Sequence, residues 1–454
     1  MTIKDLLADA ASRSAAYLDS LPNRSVAPSG QAVEGLRSLD GPLPDSPSDP
    51  AAVLRRLDEL GSPATVATAG PRYFGFVIGG SLPATVAANM LAAAWDQPAG
   101  LVIASPATAT IEAIALRWLL DALSLPASCA AGFVTGATMA NFTCLAAARH
   151  ALLARLGWDA EANGLFGAPE LRVIVGDEVH VSALKALSLL GLGRDRVIRV
   201  PTDAQGRMRA DAVPALDART ILCLQAGNVN TGAFDPIAEL TGRARDANAW
   251  VHVDGAFGLW AAAAPERATL TTGIEHASSW ALDAHKWLNV PYDSGVAICR
   301  DEAALRSAMA VRAAYLVQGA EREPSEYTPE LSRRARGVEV WAALSSLGRS
   351  GLVDLIERNC RMAARFAGGL RDAGFEILND VVLNQVLVSF GDDETTRRVI
   401  AGVQADGTCW CGGTVWHERA AMRISVSSWA TTDRDVELSL AAMLRVAAGV
   451  RAAR

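Results

Sequence analysis

Trp250-Val251-His252-Val253-Asp254-Gly255-Ala256-Phe257-Gly258 is the stretch on which the fold turns. A mostly apolar run that closes on an acid and then on small residues reads as a buried parallel strand ending in a turn. A carboxylate at the C-terminal end of such a strand stands where open α/β sheets place their ligands. Taken alone, Asp254 reads first as a turn or cap residue. A second segment changes that reading: Ser278-Ser279-Trp280-Ala281-Leu282-Asp283-Ala284-His285-Lys286-Trp287-Leu288-Asn289-Val290-Pro291-Tyr292-Asp293. It places Lys286 just after another apolar strand. Only Lys4 and Lys185 accompany it as lysines in the chain.

The same alternation continues outward. Strands are expected at Leu171–Val175, Val197–Val200, Thr220–Leu224, Trp250–Val253, Ser278–Leu282 and Val296–Cys299, with helical spacing between them, as in Ile237–Asn248. This predicts an α/β domain with a mostly parallel sheet. Beyond Ser332 a long helical region, Arg336–Ala373, is interrupted at Gly351. Strand-like Val382–Phe390, Thr408–Trp416 and Ala421–Ser427 follow, with helices near Glu394–Gln404 and Asp433–Ala448. The N-terminal side has a helical stretch, Ile3–Asp19, and a Pro-rich run, Gly41–Pro50, that neither a helix interior nor a central strand accepts. The expected division is an arm and linker over 1–60, a large domain over 61–330 and a small α+β domain over 331–454.

The chain has 454 residues, 50% hydrophobic and 20% charged, a globular composition. Its net charge of −7 argues against nucleic acid as a partner. Seven cysteines, an odd number scattered through apolar runs, and no secretory signal at Met1–Leu21 suggest reduced thiols and a cytoplasmic location. The charge-free stretch Tyr73–Trp95 contains Gly75, Gly79, Gly80 and Pro83, and reads as a buried turn and helix rather than a membrane span. Cys409, Cys411 and His417 lack a fourth ligand, so no metal is expected. No dinucleotide fingerprint, Walker loop or nucleophile elbow is present.

A shielded lysine is expected to act as an amine nucleophile toward carbonyls. Paired with a strand-end carboxylate, it meets the needs of pyridoxal phosphate: the lysine holds the aldehyde as an imine, and the acid keeps the pyridine nitrogen protonated. Phe133-Val134-Thr135-Gly136-Ala137-Thr138-Met139-Ala140-Asn141 offers a phosphate cradle of small residues, a hydroxyl and the start of a helix.

These segments resemble the pyridoxal-phosphate-dependent group II amino acid decarboxylases, over roughly residues 50 to 450. His-Val-Asp-Gly-Ala around Asp254 and Asp-Ala-His-Lys-Trp around Lys286 are the most specific parts. The resemblance implies an aspartate-aminotransferase-like (fold type I) architecture and a homodimer with its active site near the subunit interface. It places Lys286 at the cofactor aldehyde, Asp254 at the ring nitrogen, and Ala256 and His180 against the ring. It also implies phosphate contacts from Gly136, Ala137 and Thr138, and a contact from Asn228 where relatives often carry threonine. Asp283 would orient its loop, and Tyr292 matches an aromatic that reaches across the dimer. His285 matches a position that contacts substrate or cofactor, or is structural. Phe76 is either a substrate-pocket aromatic or core packing. Arginines of Ser332–Gly337, Arg336 among them, either bind a carboxylate or solvate a helix start.

The stretch Ala314–Arg334 departs from the family, being shorter where relatives carry a loop tyrosine that protonates the substrate carbon. Tyr327 aligns only loosely with that tyrosine, so Tyr327 and His180 are the candidate acids. The expected reaction is decarboxylation of an L-amino acid to the amine through a Lys286 Schiff base. The alternatives are aldehyde synthase, carbon–carbon lyase or aminotransferase chemistry on the same scaffold, and, from another class, a non-catalytic cofactor-binding protein. No membrane or nucleic-acid partner is expected.

Overall fold

The computed structural model describes residues 2–311 and 322–453. They fall into two compact units, one of Ser81–Arg361 with Asn379–Gln385 and one of Met1–Gly80, Met362–Leu378 and Val386–Arg454. The N-terminal 80 residues thus cluster with C-terminal segments, and the residues just after 330 belong to the larger unit.

The larger unit is built on β1 (Ala130–Val134), β2 (Arg172–Gly176), β3 (Ile198–Val200), β4 (Thr220–Gln225), β5 (Trp250–Asp254), β6 (Ser279–Asp283) and β7 (Gly295–Cys299). Their order is β1-β7-β6-β5-β4-β2-β3. Strands β2 to β6 pair parallel, while β7 is antiparallel to both β6 and β1. Every residue of β1, β4, β5, β6 and β7 is buried, which is why these strands are continuous apolar runs rather than alternating ones. All six expected strands are present. The seventh, β1, was not expected as a strand, because Ala130-Ala131-Gly132 has weak β propensity. Tertiary packing holds it extended: a Cβ on Gly132 would lie 2.7 Å from the Tyr327 carbonyl oxygen.

The helix Ala137–Arg155 packs on β5, β6 and β7. Its buried face is dominated by Ala140, Cys144, Ala147, Ala148 and Ala151, whose small side chains let it lie close, with Leu145 and Leu152 as larger anchors. Burying each of those leucines contributes about 1.5–3 kcal/mol. The Cys144 thiol reaches the carbonyls of Trp280 and Ile298 at 3.4 Å, tying this helix to the sheet. The helix Gly337–Asp372 breaks at Gly348 (φ 60°, ψ −176°) rather than at the expected Gly351. Only a residue without a side chain takes that conformation cheaply, whereas Gly351 continues the helix.

In the smaller unit β8 (Glu376–Ile377), β9 (Gln385–Ser389), β10 (Gly412–Trp416) and β11 (Arg419–Ser425) form a sheet in the order β10-β11-β9-β8. The helix Ile3–Ser20 starts at a capping box between Thr2 and Asp5. Arg13 bridges Asp9 and Asp58 at 3.0 and 2.9 Å, joining this helix to Pro50–Ala64. The charge-free stretch resolves into turns and the 13-residue helix Pro83–Trp95. Among the described residues no helix is long and apolar enough to cross a membrane.

Candidate active site

The strand directions bring the sequence-nominated residues to one edge of the large sheet. Val134 of β1 and Asp283 of β6 both pair with Gly295 of β7. Asp254 of β5 pairs with Ala281 on one side and Gln225 on the other. The turns that leave these strand ends carry Gly136–Thr138, Asn228, Ala256 and His285–Lys286. They are laced together by backbone bonds, from Ala226 N–H to the Asp254 carbonyl and from Asp283 N–H to the Ala256 carbonyl, each 2.9 Å.

Asp283 organises the amine. Its Oδ2 lies 3.1 Å from Lys286 Nζ, and its Oδ1 accepts the Ala137 N–H at 2.6 Å. One buried carboxylate therefore joins the lysine to the N-terminus of the helix Ala137–Arg155, whose dipole favours negative charge. Lys286 thus carries an ion-pair partner within the site. Ser294 N–H donates to His285 Nδ1 at 3.1 Å, so the neutral ring keeps its proton on Nε2, 3.5 Å from Asp283 Oδ1. Burial pushes the His285 pKa below its ordinary value, against the pull of Asp283. Gly136 leaves room here: a Cβ on it would meet His285 Cε1 at 3.1 Å and Asp283 Oδ1 at 3.3 Å.

Asp254 is buried and accepts two donors, Asn141 Nδ2 at 2.9 Å and its own turn's Ala256 N–H at 3.2 Å. Asn228 shapes its own loop, its Oδ1 accepting the N–H groups of Asn230 (2.9 Å) and Thr231 (3.2 Å). Its Nδ2 is buried with no protein partner among the described residues, and so is the Ser294 hydroxyl. Buried polar atoms left over in this way mark places where a ligand completes the hydrogen bonding. Thr138 sits half-buried in the first turn of the helix Ala137–Arg155, and His180 caps the helix Val181–Leu189.

Residues 36–391 match the family model described as the pyridoxal-dependent decarboxylase conserved domain. The chain belongs to this family. Among its relatives, the aromatic-L-amino-acid decarboxylase of Bacillus atrophaeus is 27% identical over 88% of this chain and 86% of its own. The L-2,4-diaminobutyrate decarboxylase of Rhizobium meliloti is 31% identical over 72% of this chain and 67% of its own. A crystal structure of Oryza sativa TDC with PLP and tryptamine superposes with a TM-score of 0.90 at 23% identity, covering 98% of each chain. The fold is thus the fold-type-I architecture, and this decarboxylase-family enzyme is a pyridoxal-phosphate-dependent carboxy-lyase. The donor set at the sheet edge suits that cofactor. It offers an amine, a carboxylate one strand away, a helix start approached closely through glycine, and two unsatisfied buried polar atoms.

Other nominated residues lie elsewhere or are already engaged. Tyr292 is exposed and stacks on His285 with ring centres 4.2 Å apart. Arg336 donates to Asp293 at 2.9 Å, as does Arg334 at 3.1 Å, and Arg333 donates to both oxygens of buried Glu112 at 2.9 Å. The arginine cluster thus pairs with the chain's own carboxylates, while Arg333 Nε and Nη1 and Arg336 Nη1 are buried without a protein partner among the described residues. Phe76 belongs to the smaller unit, where it is exposed and stacks on Trp410 at 5.6 Å. Of the expected loop, residues 312–321 lie outside the described residues.

Tyr327 is not brought to Lys286. Its hydroxyl donates to Glu302, its ring lies under Arg322, and it packs with Ala130 and Cys299. Ala130 and Cys299 pair with each other at the end of β1 opposite Gly136. Burial, and then the bond to Glu302, push its pKa up to about 12. Tyr327→Phe is therefore expected to lower kcat less than about tenfold while costing about 1–2 kcal/mol of stability. Steady-state rates and urea unfolding of the variant check both numbers.

Sequence reasoning missed Asn141 and Ser294. Asn141 was noticed only as the end of the phosphate segment, and Ser294 lies beyond the segment quoted for Lys286. Nothing local in the sequence marks either: Asp254 and His252, which Asn141 meets, lie 113 and 111 residues along the chain, and the Ser294 hydroxyl has no protein partner among the described residues.

Proposed function

We propose that this enzyme removes carbon dioxide from Cα of an L-amino acid and releases the amine. Pyridoxal phosphate, when bound, supplies an aldehyde for amines to condense with and a ring that accepts the electron pair left by the departing carboxylate. Lys286 presents the amine that holds the cofactor and gives way to the substrate amine. Asp254 holds a proton at the ring nitrogen, and Ala256, His180 and Asn228 line the ring. Gly136, Ala137 and Thr138 take the phosphate at the helix start, with His285 beside them. His180, whose ring proton lies on Nε2, is assigned the return of a proton to Cα.

The observation that carries this reading is the path from Lys286 Nζ through Asp283 to the Ala137 N–H. It sets a nucleophilic amine beside an anion-binding helix start, with Asp254 on the neighbouring strand. The enzyme is proposed to work as a cytoplasmic homodimer. The exposed Tyr292, at a position where relatives reach across their interface, supports the dimer. Seven buried, unpaired cysteines support a reducing compartment.

The test is carbon dioxide release from labelled aromatic amino acids, glutamate and 2,4-diaminobutyrate by the cofactor-loaded protein. Stoichiometric amine and carbon dioxide from one of them is expected. Aldehyde with ammonia and peroxide, or no carbon dioxide from any amino acid, would overturn the proposal.

A further inference from the structure

A continuous line of buried polar side chains runs from Trp250 to His180, and its proton positions can be counted. The indole Nε1–H of Trp250 donates to Ser279 Oγ at 2.9 Å, and an indole can only donate. Ser279 Oγ keeps a second lone pair as well as its own hydrogen, so its contact with His252 Nδ1, also at 2.9 Å, can run either way as seen from this end. His252 is fully buried and neutral, burial having pushed its pKa down to about 4 against the pull of Asp254. The direction is set from the far end: Asn141 turns Nδ2 to the Asp254 carboxylate, so its Oδ1 faces His252 Nε2 at 2.8 Å, and the one ring proton lies on Nε2 while Nδ1 accepts from Ser279.

The Asp254 carboxylate thus fixes the orientation of the Asn141 amide. Its Nδ2 supplies one hydrogen to Asp254 Oδ2 at 2.9 Å and the other to Ser182 Oγ at 3.3 Å. The opposite orientation would set an amide oxygen against a carboxylate. Having accepted, Ser182 Oγ donates to His180 Nδ1 at 2.7 Å, and the Ser182 N–H meets the same nitrogen at 3.2 Å. His180 consequently keeps its proton on Nε2. Trp250, His252 and Ser279 alone would satisfy one another in several ways. With Asn141 between two fixed ends, a single arrangement remains.

We propose that Asn141 and His252 are positioning residues for two reactive groups at once, holding Asp254 as an ionised acceptor and, through the Ser182 hydroxyl, reinforcing the Nε2–H tautomer of His180 that the Ser182 backbone N–H already favours. The inference rests on the reading of Asp254 and His180 as neighbours of the cofactor. Neither Asn141 nor His252 needs to touch that cofactor to act. Asn141 stabilises the charged form of Asp254 by donating to it, and so favours leaving the proton on the ring nitrogen.

The experiment uses the full-length protein with labelled histidine nitrogens, cofactor-free, as parent, Asn141→Leu and Ser182→Ala. In the parent, the nitrogen spectrum should give His180 as a single Nε2–H tautomer. Both variants keep the Ser182 backbone N–H on Nδ1 but lose the directed hydroxyl bond, so a detectable Nδ1–H fraction should appear beside the Nε2–H form. Cofactor binding, followed by tryptophan fluorescence, should weaken roughly tenfold or more in Asn141→Leu, which cuts both branches, and distinctly less in Ser182→Ala, which cuts only one. An unchanged His180 tautomer in both variants, or parental cofactor affinity in Asn141→Leu, overturns the proposal. Ser182→Ala guards against a folding failure of the larger change. The parent's carbon dioxide assay separately reports on the decarboxylase reading, because the tautomer is measured without cofactor or substrate.

Discussion

Lys286→Ala is expected to lower carbon dioxide release by roughly 10³-fold or more, because a tethered amine is replaced by whatever free amine diffuses in. The effect should be chemical rather than structural. Asp283 loses its partner at 3.1 Å but keeps the Ala137 N–H at 2.6 Å, and His285 Nε2 stands 3.5 Å away. The carboxylate is therefore still partnered, and the fold should hold. Lys286→Arg sharpens the test. A guanidinium can keep the ion pair with Asp283 yet is always protonated and does not condense with aldehydes. Borohydride reduction of the loaded protein, followed by intact mass, should show one cofactor adduct in the parent and none in either variant. The low lysine content makes the result clean, since only exposed Lys4 and Lys185 remain to react. An adduct surviving in Lys286→Ala would move the site to one of them.

The parts of the fold legible in the sequence are those whose local signal and tertiary setting agree. β5 and β6 are buried on both faces and read as unbroken apolar runs, so the strand-end Asp254 and the following Lys286 could be picked out. β1 was not legible, because its Ala-Ala-Gly start is extended only through contact with Tyr327 and Thr328. The break at Gly348 rather than Gly351 was equally hidden: either glycine could interrupt the helix, and spacing does not distinguish them. In the site, the residue types were visible but their partners were not. Asp283 was read only as orienting its loop, yet it is the ion-pair partner of Lys286, three residues further on. For the arginines after Ser332 the sequence left carboxylate binding and a solvated helix start both open, and it gave no sign that Asp293 and Glu112 would pair with them. Asn141 meets Asp254 and His252 across 113 and 111 residues of chain, a closeness that only the folded sheet creates.

Asp254→Asn should separate charge from shape at the other half of the site. Asp254→Ala leaves the Asn141 Nδ2–H and the Ala256 N–H without an acceptor, and each buried orphan costs about 1–3 kcal/mol, so lost activity there would be mixed with lost stability. The asparagine keeps nearly the same volume and one acceptor oxygen, and because Oδ1 and Oδ2 each take one donor, it leaves one donor unmatched rather than two, so it should lose about 1–3 kcal/mol of stability, less than Asp254→Ala. What it lacks is the negative charge that keeps a proton on the cofactor's ring nitrogen. We therefore expect kcat to fall by about 10²–10⁴-fold with a much smaller change in KM, the range associated with losing a positioned proton-transfer group. A second readout needs no cofactor. Burial holds the His252 pKa down at about 4, and the Asp254 charge works in the opposite direction by favouring the imidazolium. Removing that charge must lower the His252 pKa further, so Asp254→Asn should keep His252 neutral to more acid pH than the parent in a nitrogen-NMR titration. A rise instead would mean that the residue at 254 does not carry its charge in the folded protein, and the assignment of its carboxylate to the ring nitrogen would fail with it.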